Sequence, residues 1–292
     1  MPVTASWTPE LRTVAGSTRL PAIWSRYRNE VTVQITSAPA TIVSLADVIA
    51  SERPLRVAVL TGAGISAESG LRTFRGNDGL WEGHRIEEVA TPEAWEIDPQ
   101  NVWRFYQQRR RQLGEVDPNP AHFALAELED GVEDGCFTLI TQNVDDLHER
   151  GGSRNLIHMH GELRVVRCEE CAHNFEAMSA EHLADDEFIP CPECGHEKLR
   201  PDIVWFGEEP YQMDDLMQAV IDCELFLVVG TSGHVHPAAG LLGLARMRGA
   251  YCVGFNLDPP LNVGYFHEFH EGAAGELLPP LVQQLIDLDI QP

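Results

Sequence analysis

Four cysteines form two Cys-x-x-Cys pairs, Cys168 with Cys171 and Cys191 with Cys194, and 19 residues separate the pairs. This spacing is typical of zinc sites with four thiolate ligands. Four sulfur ligands leave no open coordination position, so we expect one structural Zn²⁺ that stabilises a small ribbon and takes no part in catalysis. The alternative is four unrelated free cysteines. Zinc ribbons can also bind nucleic acid, but the acidic residues beside these cysteines disfavour that function.

A glycine-rich turn follows the apolar run 55–60. Its sequence, GAGISA from Gly62 to Ala67, fits the pattern G-x-G-x-x-G/A, in which the glycines let the backbone approach a pyrophosphate at a helix N-terminus. A dehydrogenase would next carry an acidic residue at the end of a second strand. Residues 70–85 form instead a glycine-rich stretch with three arginines, which predicts a mobile lid over phosphates and disfavours hydride transfer. The alternative is a plain strand-to-helix turn followed by a surface loop.

The elements that would position these motifs alternate between strands and helices. This alternation predicts an α/β fold, a Rossmann-like doubly wound parallel sheet covered on both faces. Residues of about 166–200 interrupt it and predict an inserted zinc-ribbon module. Residues 1–38 lack periodicity and predict a loosely ordered extension, which leaves 39–292 as the main folded domain. We expect strands at 55–60, 137–141, 203–206, 225–229 and 251–256, and helices at 42–49, 101–113, 120–128, 213–221 and 237–248.

The composition excludes several classes of protein. With 43% hydrophobic and 23% charged residues, the 292-residue chain is not disordered. The net charge of −24 disfavours duplex nucleic acid and anionic membranes as partners, and the sole lysine is Lys198. No window approaches the roughly 18 apolar residues of a membrane span, and the first 30 residues lack a secretory apolar run. We therefore expect a cytoplasmic location, while the sequence indicates no oligomeric state.

Three further motifs point to one family: TQNVDDLH at 141–148, HMHGEL at 158–163 and GTSGHVHPAA at 230–239. Together with GAGIS at 62–66 and TFRG at 73–76, they resemble the sirtuins, which are NAD-dependent protein-lysine deacylases. The resemblance covers residues of about 45–290 and is strongest to the bacterial class III members, which remove acidic acyl groups. It implies removal of succinyl or malonyl groups, and also acetyl groups, from protein lysines, giving nicotinamide, O-acyl-ADP-ribose and free lysine.

The resemblance implies catalytic and cofactor-binding roles at the ends of strands. His160 would be the base that deprotonates a ribose hydroxyl, which suits an imidazole of pKa about 6.5. We interpret His158 as a strand histidine. NAD would be the co-substrate, and the residues expected to hold it are Gly62, Ala63, Gly64, Glu68, Thr73, Phe74, Arg75, Trp81, Gln142, Asn143, Asp145, Gly230, Thr231, Ser232, Asn256, Leu257, Asp258 and Ala274.

The acyl group would have its own binding residues. Tyr106 and Arg109 are spaced i, i+3 on a predicted helix, so they share a face and could bind a carboxylate together. This pair and the small Ala90 resemble the succinyl- and malonyl-selective sirtuins. The alternative is a solvated basic face, because Arg110 and Arg111 follow directly.

An acylated-lysine protein would pair its backbone with residues 204–208 and 234–236, by analogy with the family. Two other functions stay open. An NAD glycohydrolase or ADP-ribosyltransferase would use the same pocket without acyl-lysine. A non-catalytic NAD-sensing module would not need His160.

Overall fold

A six-stranded sheet lies at the centre of the computed structural model, which describes residues 44–51, 54–72, 80–81 and 83–288, with the backbone alone at 50, 51, 80 and 81. The predicted extension at 1–38 lies outside these residues. In chain order the elements are α1 (Leu45–Ser51), β1 (Val57–Thr61), α2 (Ala63–Ala67), β2 (Leu80–Trp81), β3 (His84–Arg85), α3 (Ile86–Val89), α4 (Pro92–Ile97), α5 (Pro99–Leu113), α6 (Pro120–Gly131), β4 (Phe137–Thr141), α7 (Leu147–Arg150), β5 (Leu156–His158), β6 (Gly161–Cys168), β7 (Asn174–Glu176), β8 (Leu199–Ile203), α8 (Met213–Asp222), β9 (Leu225–Val229), α9 (Ala238–Arg248), β10 (Tyr251–Asn256), β11 (Glu268–Glu271) and α10 (Ala274–Asp287).

The strand order of the central sheet is β11-β10-β9-β1-β4-β5, and every pair is parallel. This is the doubly wound order, in which the chain starts at the middle of the sheet and builds outward in both directions. The direction of winding reverses between β1 and β9. Ligands bind beyond the carboxyl ends of the strands at such a reversal. The predicted fold class is therefore confirmed, and a ligand site is expected at the carboxyl ends of β1 and β9.

Alternate residues of the central strands face opposite layers of helices. Val59, Leu227 and Val253 pack in one cluster with Leu125 of α6 and Leu278 of α10. The intervening residues of β9 are also buried, on the side where α8 and α9 pack together. Strands buried on both faces need continuous apolar runs, which VAVLT of β1 and LFLVV of β9 supply.

The observed boundaries match most predicted elements and correct others. Strands β4, β9 and β10 have the predicted bounds. The strand predicted at 203–206 is wrong, because β8 ends at Ile203 and belongs to a separate antiparallel sheet of order β7-β6-β8. That sheet runs from Gly161 to Ile203, so it extends beyond the 166–200 range on both sides. Strands β5 and β11 and helix α10 were not predicted, and α10 contains Pro279 and Pro280.

Helix α5 binds the zinc module through its polar side chains. Gln107 Nε2 donates to the carbonyl of His182 at 2.7 Å, and Trp103 Nε1 donates to that of Glu187 at 2.8 Å. Arg111 pairs with the carboxylate of Asp186 at 2.8 Å. The acidic stretch of the module therefore packs along the same helix that carries Tyr106 and Arg109. No helix in the described part of the chain is long and apolar enough to cross a membrane.

Candidate active site

The glycine turn after β1 and the turn after β9 meet at the reversal of the sheet. The Gly64 amide donates to the Gly230 carbonyl at 2.8 Å, and the Gly62 amide donates to that of Val229 at 3.0 Å. A Cβ on Gly64 would lie 2.6 Å from the Gly230 Cα, and Gly230 has a φ of +66°. Neither position accepts a larger residue without backbone movement. The contact places both turns beside the helix N-terminus of α2.

The loops after β4, β9 and β10 are joined by side-chain amides. Gln142 Nε2 donates to the Thr231 hydroxyl at 3.1 Å, and Asn256 Nδ2 donates to the Thr231 carbonyl at 3.1 Å. Gln142, Asn256 and Thr231 are all partly exposed at the carboxyl edge of the sheet. Predicted cofactor residues from three separate strands therefore lie together in one crevice.

A second polar group links Asn143 and Asp145 through Ser66. Asn143 Nδ2 donates to the Ser66 hydroxyl at 3.1 Å, which donates to Asp145 Oδ2 at 3.0 Å. The other oxygen of Asp145 accepts the Leu147 amide at 3.3 Å. Burial raises the pKa of Asp145 to about 6, against the lowering effect of these hydrogen bonds. Ser66 was not among the predicted site residues, although it lies two positions after the second glycine of the turn.

His160 and His158 both orient their rings on the loop after β4. His160 Nδ1 lies 3.0 Å from the carbonyl of Gln142, and His158 Nδ1 lies 3.3 Å from that of Asn143. A carbonyl only accepts, so Nδ1 of His160 carries the proton and Nε2 of the neutral ring carries the lone pair. Burial lowers the pKa of His160, partly offset by this hydrogen bond. His160 therefore has the tautomer and charge of a base.

His158 differs from His160 in its second ring nitrogen. Its Nε2 contacts Glu149 Oε1 at 2.7 Å, and Glu162 completes a cluster of three groups. Burial alone would lower the pKa of His158, but the hydrogen bond and charge of Glu149 outweigh it and the pKa is raised. His158 is therefore engaged by a carboxylate, which agrees with its interpretation as a structural strand histidine.

Two buried histidines lie beneath the crevice. His148 Nε2 contacts the Thr61 hydroxyl at 3.0 Å, and His122 Nδ1 accepts the Asn119 amide at 3.2 Å. Their ring centroids are 4.9 Å apart. Burial lowers the pKa of His122 to about 4 and also lowers that of His148. Both are neutral at pH 7 and serve as fixed polar groups under the loops.

The other predicted cofactor residues differ in how well the structure locates them. Thr73, Phe74 and Arg75 lie outside the described residues, as do most of the predicted lid and the Trp81 side chain. The Glu68 carboxylate accepts the Gly275 amide at 2.9 Å, which places Glu68 beside buried Ala274 at the start of α10. Exposed residues at the rim of the crevice are Ser232, Leu257 and Asp258, whereas Ala63 is half-buried in α2.

The predicted acyl-binding residues lie on α3, α5 and their connections. Tyr106 is fully buried and Arg109 half-buried on α5, and Ala90 is buried at the end of α3. The Arg109 guanidinium carbon lies 4.4 Å from the centroid of the Phe105 ring. The alternative of a solvated basic face is wrong for Arg110, which is fully buried and donates from Nε to the Leu163 carbonyl at 2.8 Å.

The four cysteines form a compact group that suits a tetrahedral metal. The Sγ atoms of Cys168 and Cys194 are 3.6 Å apart, as are those of Cys171 and Cys191, and all four lie within 4.8 Å of one another. A Zn–S distance of about 2.3 Å gives a tetrahedral edge of about 3.8 Å. The residues therefore fit one structural Zn²⁺ with no open coordination position. Nearby, the Lys198 ammonium lies 4.9 Å from the centroid of the Trp95 ring.

A parallel sheet, a crevice at its reversal and a four-cysteine module together define a class of nucleotide-binding protein with a structural zinc module. The chain matches the Sir2 family over residues 62–237, and it belongs to that family. The sirtuin resemblance of the sequence is thereby confirmed.

Relatives that are named NAD-dependent protein deacylases match most of the chain. An NAD-dependent protein deacylase of Yersinia pseudotuberculosis is 50% identical over 232 residues, 79% of this chain and 82% of that protein. The Escherichia coli (strain K12) protein of the same name is 49% identical over 243 residues, 81% of this chain and 84% of its own.

Solved structures show the same fold. A Sir2 homologue in complex with NAD is 43% identical, with a TM-score of 0.73 over 83% of this chain and 93% of that chain. Sir2Af2 bound to a myristoylated histone peptide is 32% identical, with a TM-score of 0.66 over 85% of this chain and 97% of its own.

Proposed function

We propose that this protein uses NAD to remove succinyl or malonyl groups, and also acetyl groups, from lysine side chains of other proteins. One observation carries the proposal: His160, with Nε2 as its basic atom, lies in the crevice where the glycine turn, Gln142 and Asn256 converge. The names of the relatives, NAD-dependent protein deacylases, support the same activity.

Different residues of the crevice would bind different parts of NAD. The Gly62 and Gly64 amides are held by the carbonyls of Val229 and Gly230, so the glycines would serve by letting the pyrophosphate approach the backbone at the start of α2. Thr231, Ser232, Asn256, Leu257 and Asp258 line the side expected to hold the adenosine ribose. The bound dinucleotide supplies a glycosidic bond that can be broken to release nicotinamide. Asn143 and Asp145, fixed by Ser66, would orient the carboxamide end so that this bond faces the acyl group.

His160 would move the proton in the reaction. Its Nδ1 proton is held by the Gln142 carbonyl, so Nε2 accepts a proton from a ribose hydroxyl. The lowered pKa keeps the imidazole neutral, and therefore able to accept that proton, at pH 7. General bases of this kind contribute about 10²–10⁴ in rate.

The acyl group would enter beside α5. The Arg109 guanidinium and Tyr106 hydroxyl would bind a terminal carboxylate, and Ala90 would leave room for the longer chain. Burial raises the pKa of Tyr106, so its hydroxyl keeps its proton and can donate it. An acetyl group would enter the same pocket without these contacts, so we expect it to be the weaker substrate.

A substrate peptide would lie extended at residues 204–208 and 234–236. The amides of Val204 and Phe206 already donate to the carbonyls of His160 and Ala90, at 2.9 and 3.0 Å. At Val204 and Phe206 the pairing would therefore use the carbonyl oxygens, and backbone pairing of this kind reads little sequence. We further propose a cytoplasmic location and substrates whose basic flanks complement the net charge of −24.

The test is nicotinamide release measured with one peptide in acetyl-lysine, succinyl-lysine and free-lysine forms. Release that requires an acyl group and is fastest with succinyl supports the proposal. Equal release with the free-lysine peptide would indicate an NAD glycohydrolase, and binding of NAD without release would indicate a sensing module. The His160→Ala variant is the control, since loss of the base should lower its acyl-dependent turnover by about 10²–10⁴.

A further inference from the structure

Trp205 lies just after β8 and touches the acyl-binding helix. Its side chain is 2% exposed, and its Nε1 donates to the hydroxyl oxygen of Tyr106, which is 0% exposed, at 3.0 Å. An indole nitrogen can only donate, so the tyrosine oxygen is the acceptor. The single hydroxyl hydrogen of Tyr106 therefore points away from Trp205. The direction in which Tyr106 donates is thus set by a residue outside the acyl-binding set.

The indole is itself held in one position from several sides. The Arg200 guanidinium carbon lies 3.7 Å from the centroid of its ring. Arg200 forms two hydrogen bonds with the Glu208 carboxylate, at 3.0 and 2.9 Å, and the same carboxylate accepts the Trp205 amide at 2.8 Å. Burial would raise the pKa of Glu208, but Arg200 outweighs it and the pKa is lowered. The Arg200–Glu208 ion pair holds the guanidinium against the face of the indole, so the Trp205 side chain has little rotamer freedom.

The same segment also contacts the third acyl-binding residue. The amide of Phe206, next to Trp205, donates to the carbonyl of Ala90 at 3.0 Å. The Phe206 backbone therefore contacts Ala90 at the end of α3, and the Trp205 side chain contacts Tyr106 on α5. Residues 205–206 form part of the segment proposed to bind the substrate peptide.

We propose that Trp205 is a positioning residue for acyl selectivity: its indole N–H orients the Tyr106 hydroxyl so that the tyrosine proton is directed to a carboxylate on the acyl chain. The inference rests on the proposed preference for succinyl and malonyl groups. An acetyl group lacks the carboxylate and gains nothing from that orientation. Loss of the indole N–H should therefore affect acidic acyl groups selectively.

The experiment measures kcat/KM with succinyl- and acetyl-lysine forms of one peptide, using the full chain. Trp205→Phe removes the N–H, and replacing Trp205 by benzothienylalanine substitutes sulfur for the N–H while keeping the shape of the ring. We expect either change to lower the succinyl-to-acetyl ratio about fivefold to tenfold. Most of the loss should lie in KM, because the contact binds the acyl group rather than the reacting atoms.

Two controls separate orientation from general damage. Trp103, on α5, also has a buried indole N–H, which donates to the Glu187 carbonyl. Trp103→Phe removes that N–H and should leave the succinyl-to-acetyl ratio unchanged. Combining Trp205→Phe with Tyr106→Phe should give no further loss of the ratio than Tyr106→Phe alone, since Trp205 acts through that hydroxyl.

The outcomes distinguish this inference from the proposed function. A wild-type protein without succinyl preference overturns the proposed function. A wild-type preference that survives the benzothienylalanine replacement, or losses that multiply in the double variant, overturns the role of Trp205 alone.

Discussion

The Nδ1 atom of His160 lies 3.0 Å from the carbonyl oxygen of Gln142, while Gln142 itself donates from Nε2 to Thr231. The ring of the proposed base is therefore fixed by the loop that also contacts the opposite half of the sheet. This arrangement predicts that the imidazole handles a proton without being the main anchor of NAD.

His160→Ala should lower deacylation by about 10²–10⁴ while NAD affinity falls far less, because the base is lost and the strand-end loops remain. Nicotinamide release and NAD titration measure the two effects. His158→Gln is the matched control and should lower the rate much less, since His158 is engaged by Glu149. Near wild-type turnover of His160→Ala would disprove the assignment.

Loss of a zinc ligand should unfold the module and abolish activity. Cys168→Ala or Cys191→Ala should give zinc-free protein whose Tm is lower by about 10 °C or more, because the binding energy of structural zinc is folding energy. Zinc content and thermal unfolding are the measurements. Cys136→Ala, a half-buried cysteine outside the cluster, should keep the zinc. A zinc-free Cys168→Ala protein of unchanged Tm would rule out a structural metal.

Arg109→Met should lower desuccinylase kcat/KM by about one to two orders of magnitude, because a charge-assisted hydrogen bond contributes about 1.5–3 kcal/mol. Deacetylase kcat/KM should change little. Tyr106→Phe should act in the same direction with a smaller effect. The measurement is kcat/KM for one peptide in its succinyl-lysine and acetyl-lysine forms. Equal losses of kcat/KM on the two forms would mean that Tyr106 and Arg109 are only structural.

Gly64→Ala should weaken NAD binding about tenfold and destabilise the fold by about 1–3 kcal/mol, because its Cβ would meet backbone atoms of Gly230. NAD titration and urea unfolding test this. Gly264→Ala is the control, since its Cβ would meet nothing within 4 Å and its φ is not positive. Full NAD affinity in Gly64→Ala would show that NAD binding does not require the close contact between the turns at Gly64 and Gly230.

Acid should destabilise the protein through the buried histidines. The pKa of His122 is about 4 in the fold and about 6.5 when unfolded, so the unfolded chain binds more protons. Stability is therefore full above pH 6.5 and is lost as the pH falls toward 4, with His148 adding to the loss. Urea midpoints from pH 7.5 to 4.5 measure it.

The pH profile of His122→Gln separates this effect from protonation of the zinc ligands, which is common to both proteins. The variant should lose less stability than wild type over the same range, by on the order of 2 kcal/mol. Parallel profiles would assign the acid sensitivity to other groups.

The elements predicted most accurately from the sequence are those whose own residues determine their structure. The apolar runs of β1, β4, β9 and β10 were identifiable because they are buried on both faces. Edge strands β5 and β11 were missed because LIH and EFHE are short and half-polar. Helix α10 was missed because Pro279 and Pro280 normally disfavour a helix interior.

In the candidate site, too, some features were predictable from the sequence and others were not. Loops at strand ends were predicted because parallel strands gather them at one edge of the sheet. The contacts of Ser66 with Asp145 and of Trp205 with Tyr106 were not predicted, because the partners are about 80 and 100 residues apart along the chain. The alternative of a solvated basic face does not hold for Arg110, because its guanidinium is buried against the Leu163 carbonyl of β6.

The cationic partners of the ion pairs in the described ranges are arginines and histidines, and the ammonium of the sole lysine, Lys198, lies over the Trp95 ring. Activated thioesters and acyl phosphates acylate amines and thereby remove their charge, whereas a guanidinium is permanently protonated and far less nucleophilic. The reactive metabolites that would generate substrates for this protein therefore find almost no side-chain amine on it. We therefore expect such metabolites to leave its ion pairs intact, whereas ion pairs made by lysine would lose their charge.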